Sequence, residues 1–221
     1  MRARSTRGEE TRRRIMRAAC ELLHKQGFVA TSPEQIMEAS GTGKGQFYHY
    51  FKSKEGLIHQ VLQDRLEAIK AGTRSFNREI ASWEELEKWF LAHIELQRSF
   101  GMTRGCPFGT IGNEVTETDE LIRQDINLIF EVIKNNVAAF FIKEKAAGRL
   151  AKEASEDRLA GFCIAAIQGA MLMSKIGRNS QPGEDTVREA LTHLKRYAVT
   201  LGQGSMTRRS TAARRARVSS G

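Results

Sequence analysis

Apolar residues recur at helical spacing along almost the whole chain. Between Glu9 and Gln26, Ile15, Ala18, Ala19, Leu22 and Leu23 share one face, and Gly27 ends the run. "TSPEQIMEASG" opens with Ser32, Pro33 and Gln35. That spacing predicts a capping box with proline in the first turn, then a short helix that stops near Gly41. A second short helix follows over "KGQFYHYF". A third begins at Ser53 and puts Leu57, Ile58, Val61, Leu62, Leu66 and Ile69 on one side. Ser82 and Glu85 open another helix with a second capping box. "RGCPFGTIGNEV" is a glycine-punctuated junction leading into a short helix. "TDELIRQDINLIFEVIKNNVAAFFIKEKAAG" predicts a long helix closed by Gly148. "ASEDRLAGFCIAAIQGAMLMSKIG" is apolar around most of its circumference. The last helix is expected over "EDTVREALTHLKRYAVTLG". No segment alternates as a strand does, so the expected fold is all-α.

Charge divides the chain further. Residues 1–60 hold 11 Lys/Arg against 6 Asp/Glu, and residues 202–221 hold five arginines and no acid. The stretch between them is close to neutral, with 19 bases and 20 acids. Basic ends on a neutral body suit a nucleic-acid-binding end joined to a part with another job. The tail 202–221 has little to bury and reads as disordered. Cys20, Cys106 and Cys163 are far apart and form no Cys-x-x-Cys pair, so neither zinc nor a disulfide framework is expected. Reduced thiols in a cytoplasm fit best. The charged N-terminus does not read as a signal peptide, and no membrane span is expected, since no run approaches 18 apolar residues.

The stretch "GTGKGQFYHYF", residues 41–51, raises the question of whose phosphate it holds. A P-loop needs Gly-x-x-x-x-Gly-Lys-Ser/Thr. Aligned on Lys44, the first position is Glu38 and the last is Gly45. The dinucleotide fingerprint fails at Gln46 or at Tyr48, depending on where it starts. Two short helices joined at Gly41 instead have the shape of a helix-turn-helix. On the second helix Phe47 and Phe51 face the core. Lys44, Gln46, Tyr48 and His49 remain outside: one cation, one amide able to read a base edge and two polar aromatics able to reach phosphate. Gly45 costs this helix about 1 kcal/mol relative to alanine, which makes sense if something must come close there.

Residues 31–57, "TSPEQIMEASGTGKGQFYHYFKSKEGL", closely resemble the signature of the TetR-type transcriptional regulators. The likeness rests on the spacing of Ile36, Ala39 and Gly41, on Lys44-Gly45, on Tyr48-His49-Tyr50-Phe51, and on Lys52-Ser53-Lys54-Glu55 followed by Leu57. It departs at Met37, at Ser40-Gly41-Thr42-Gly43 and at Phe47. The resemblance implies base-facing roles for Lys44 and Gln46. It implies phosphate contacts from Tyr48, His49 and Lys54, and from Thr31 and Ser32 on the preceding helix. It also implies a homodimer that binds a double-stranded DNA operator and answers to a small-molecule effector. The expected layout is a basic arm over 1–7, a DNA-binding domain over 8–68 with its helix-turn-helix at 31–50, and a ligand-binding and dimerisation domain over 69–201. No cofactor and no metal are expected. Met37 stands where the family usually has alanine, and Thr42 and Gly43 leave the turn without its usual buried valine and serine cap.

In the second domain Phe90, Phe100, Phe108, Ile111, Phe130, Phe140, Phe141 and Phe162 are expected to be mostly core. Helical domains of this kind enclose apolar cavities, so an apolar small molecule is the expected effector. Cys106 precedes Pro107 and is expected at a helix N-terminus, two residues from Arg104. There the dipole and free N–H groups would lower its pKa and suit it to sensing electrophiles. The alternative is an inert, partly buried thiol. For dimerisation, "GFCIAAIQGAMLM" offers small residues, and Val187, Leu191, Leu194 and Leu201 offer a partner face. Two other functions stay open. One is an enzyme using Cys106 with His93 as base, although no orienting acid is evident. The other is a non-specific nucleic-acid-binding protein acting through its basic ends.

Overall fold

The computed structural model describes residues 7–72 and 78–199, and among them the regular structure is helical. The helices are α1 Arg7–Gln26, α2 Pro33–Ser40, α3 Lys44–Phe51, α4 Lys54–Lys70, α5 Trp83–Ser99, α6 Pro107–Gly112, α7 Glu120–Ala146, α8 Glu156–Gly177 and α9 Gln181–Lys195. The basic tail over 202–221, and the basic arm apart from Arg7, lie outside the described residues.

Local chemistry sets most boundaries. Ser32 caps α2, its hydroxyl accepting from the Gln35 N–H at 3.3 Å while the Gln35 carboxamide accepts from the Ser32 N–H at 2.9 Å. Gly41 ends α2 in the left-handed region at φ 61°. Ser53 and Ser82 cap α4 and α5. At α5 the reciprocal bond falls one residue early: Glu85 accepts from the Ala81 N–H at 2.6 Å rather than from Ser82.

Helices α1 to α4 share a core built on Ile15, Ala19, Leu23, Ile36, Phe47 and Phe51, with Leu57, Ile58 and Leu62 from α4. Burying one such large side chain stabilises the fold by roughly 1.5–3 kcal/mol. The rest of α4 lies along α7, which packs on α8, and α8 packs on α9. A buried Asp125 on α7 ties the groups together. It accepts from Gln63 Nε2 at 2.7 Å, and its other oxygen lies 2.7 Å from His59 Nδ1, both on α4.

The last helix ends at Lys195, earlier than its periodicity suggests. After α9 the chain turns back on the α7–α8 loop, where Ala151 N–H donates to the Tyr197 carbonyl and Val199 N–H to the Arg149 carbonyl, each at 2.8 Å. This long-range pairing replaces the last turn of helix. Val187, Leu191 and Leu194, expected on the partner face, are buried within the chain instead, and Leu201 lies outside the described residues. α8 corrects a second expectation. It is long and apolar enough to cross a membrane, with mean hydropathy 1.6 over 18 residues. Here one side of it is core: Leu159, Ala160, Cys163, Ile167, Ala170, Met171 and Ser174 are buried.

Candidate nucleic-acid interface and ligand cavity

Helices α2 and α3 meet at the turn 41–43. Ser40 Oγ and Thr42 Oγ1 are hydrogen-bonded at 2.7 Å, and the Thr42 N–H donates to the Met37 carbonyl at 3.0 Å. These bonds tie the turn despite the residues that depart from the usual pattern. Phe47 and Phe51 are buried and turn α3 against α1 and α4. Lys44, Gln46, Tyr48 and His49 are exposed on its other side. The outer face therefore carries the polar set expected from the sequence, on a helix anchored by two phenylalanines.

The side chains differ in how free they are. Gln46 accepts from the Gly43 N–H at 3.3 Å, so it caps the first turn of its own helix. Glycine offers no capping hydroxyl, and Gln46 supplies half of the missing box. Ser32 is likewise occupied in capping α2. Lys54 holds its ammonium 4.4 Å from the centre of the Phe28 ring, at the start of α4. Thr31 is the exception: it is fully buried, and its hydroxyl donates to the Gly27 carbonyl at 2.6 Å. Its side chain holds the α1–α2 connection and cannot touch a phosphate. Arg12, not singled out in the sequence, donates to Gln60 at 2.6 Å and lies over the Phe51 ring, fixing α1 against α3 and α4. A Cβ built on Gly45 would meet nothing within 4 Å, so the fold itself does not demand glycine there.

In the second group of helices, Trp89, His93, Cys106, Phe108, Phe130 and Gln168 are among the residues around an apolar cavity of about 30 Å³. That is room for about one water, so a ligand must push side chains aside to enter. Cys106 caps α6, as expected, with the Gly109 N–H donating to its sulfur at 3.4 Å. Its thiol nevertheless corrects the expectation. Burial pushes its pKa up, outweighing the hydrogen bonds from Gly109, Gln168 and Phe108 that favour the thiolate. Arg104 does not assist it. That guanidinium pairs with Glu21 of α1 at 2.7 Å and stacks on Phe100. Cys163 is pushed up to about 12, also by burial. His93 lines the same cavity, but burial lowers its pKa to about 4 and its Nδ1 lies 2.8 Å from the Trp89 carbonyl.

The cavity connects to the helix-turn-helix through α6. Just beyond that helix, the Glu114 carboxylate accepts from the Val29 N–H at 2.7 Å, in the α1–α2 connection. Gly27, at φ 87°, lets the carboxylate in: an added Cβ would land on it. On the other side of α6, His24 Nε2 lies 3.1 Å from the Gly105 carbonyl. Neither Glu114 nor Gln168 carried a signal in the sequence, because each acts across more than 50 residues of chain.

A family model described as "Bacterial regulatory proteins, tetR family" matches residues 15–61. Another, "Transcriptional regulator LmrA/YxaF-like, C-terminal domain", matches residues 83–189. The chain is 29% identical over 174 residues to the HTH-type transcriptional repressor DhaR of Mycobacterium sp. (strain GP1), covering 77% of this chain and 85% of that protein. It is 24% identical over 212 residues to the HTH-type transcriptional repressor NemR of Escherichia coli (strain K12), covering 86% and 95%. The crystal structure of regulatory protein TetR from Rhodobacter sphaeroides matches with a TM-score of 0.72 at 23% identity, over 86% of this chain and 99% of that one. At that identity the likeness is one of fold.

Proposed function

We propose that this chain, which belongs to the tetR family of bacterial regulatory proteins, is a cytoplasmic repressor that binds a near-palindromic DNA site as a homodimer and lets go when a small apolar molecule enters the α5–α8 cavity. The observation that carries this reading is α3: two buried phenylalanines hold a helix whose outer face is Lys44, Gln46, Tyr48 and His49. In the major groove, Lys44 would meet base edges, and Gln46 would do so on releasing Gly43. Tyr48, His49, Lys54 and the capped start of α2 at Ser32 would meet phosphates. Residues 8–68 would form the DNA-binding unit and 69–201 the effector and dimerisation unit.

Dimerisation through α8 has support of its own. Phe162, Ala165, Gly169, Leu172, Met173 and Ile176 are exposed at spacings of three and four, an apolar stripe with small residues at its middle. The relatives carry names of regulators rather than enzymes. A half-buried Cys106 with a raised thiol pKa is a poor nucleophile, which favours a non-covalent effector.

Selection from random duplexes tests the reading. The expected product is one enriched motif with two-fold symmetry, its half-sites about one or more helical turns apart. No enriched motif, or a single asymmetric half-site, would sink it and leave non-specific binding as the better account.

A further inference from the structure

We propose that the cleft between the two groups of helices is a second ligand site, built for a small amphipathic anion such as a medium-chain carboxylate. The cleft, of about 240 Å³, lies between α1 and α4 on one side and α5 and α6 on the other. Leu62, Ile69, Leu96, Phe108 and Ile111 give it apolar walls. Its polar residues are Cys20, Glu21, His24 and Arg65, and they are engaged to different degrees. Glu21 is held by Arg104 at 2.7 Å. His24 is spent on the Gly105 carbonyl. Arg65 is half-buried and has no carboxylate partner among the described residues; its guanidinium donates to Cys20 Sγ at 2.8 Å.

A thiol is a weak acceptor, and a guanidinium carries five donors in a rigid fork. Arg65 therefore holds recognition capacity that the fold does not use. It also borders a second groove, between α1 and α4, where Arg13, Arg14 and Arg17 outnumber Glu10 and Asp64. An apolar body against the walls with one anionic head on Arg65 satisfies both halves of the cleft. A neutral hydroxyl takes at most an ordinary hydrogen bond from Arg65, without the charge-assisted, two-pronged pairing open to a carboxylate, and a cation is repelled by it.

The site differs from the effector cavity yet touches it. Leu96, Pro107 and Phe108 line both, so the start of α6 is the partition between them. Filling the cleft presses on that partition from the DNA-binding side. This inference goes beyond the repressor reading and does not rest on it.

Calorimetry on the full chain without DNA tests it, using octanoate, 1-octanol and octyltrimethylammonium as probes. Octanoate is expected to bind once per chain, about 10-fold or more tighter than octanol, with the ammonium weaker still. In Arg65→Gln the gap between octanoate and octanol closes, while Cys20→Ser keeps it. Octanoate is also expected to slow alkylation of Cys20 and not of Cys106. Equal binding of octanoate and octanol, no octanoate binding at millimolar concentration, or protection of Cys106 instead of Cys20 each overturns the proposal. Thermal melts check that Arg65→Gln is folded. If it is not, the ranking of the three probes on the unaltered chain and the Cys20 labelling decide. Failure of the duplex selection leaves this test unaffected.

Discussion

The two groups of helices use their polar residues in opposite ways. In α1–α4 the chemistry faces outward: Lys44, Tyr48 and His49 are exposed, and the buried residues behind them are apolar apart from small, locally bonded groups such as Thr31. In α5–α9 the chemistry faces inward, where His93 and Gln97 are buried and Cys106 is half-buried against apolar walls. An outward face suits a large charged partner that arrives with its own water. An inward one suits a small partner that must leave water behind. The difference also decides how mutations act. Outward residues can change binding without changing stability, and inward ones change both.

The largest expected effect breaks the outward half from within. Phe47→Ala removes a fully buried side chain from α3 and should cost about 3–5 kcal/mol of stability by chemical denaturation, with DNA binding lost alongside. Next comes the inward half. His93 is held neutral in the fold, with a pKa of about 4 against an ordinary 6.5. Between those values the unfolded chain binds the extra proton, so stability falls as pH drops from 6.5 to 4 and is flat above that window. The total is roughly 3 kcal/mol, and denaturation curves of His93→Gln should lose that slope.

A third prediction targets the connection between the halves. Glu114→Ala leaves the exposed Val29 N–H to water in place of its carboxylate, a loss of about 0.5–1.5 kcal/mol. DNA affinity should change while the affinity for an effector, measured without DNA, stays put; a loss of both would place Glu114 in the core rather than in the coupling. The smallest effect is the most pointed. Gly45→Ala has open space for its methyl and should stabilise α3 by roughly 0.5–1 kcal/mol. DNA binding should nevertheless weaken, if close approach of the duplex is what glycine serves there. Improved stability with unchanged binding would remove that role.

What the sequence disclosed followed the range of the interactions. The Ser32 capping box, the Ser82 cap, the Gly41 stop and the buried faces of α1 and α4 were legible because caps and helical stripes act over three to five residues, whereas the second half of the box at Ser82 shifted to the Ala81 N–H. The N-cap position of Cys106 was legible for the same reason, from the proline after it. The burial of its thiol was not, since it depends on Gln168 and other residues more than 50 positions away. The early end of α9 and the inward turn of Val187, Leu191 and Leu194 were missed likewise, because the α7–α8 loop and the packing of α8 and α5 decide them. Thr31 shows the limit of resemblance: the position matched a family pattern, and here the hydroxyl belongs to Gly27.

The central claim is that the α3 face of a two-fold dimer reads DNA sequence. Titration of the chain against its selected duplex and a scrambled one of equal length, at several salt concentrations, tests it most directly. The account predicts two chains per selected duplex, or a multiple of two, and about 1,000-fold or greater preference over the scrambled one at physiological salt. Equal affinity for both duplexes, with the same steep salt dependence, would contradict it.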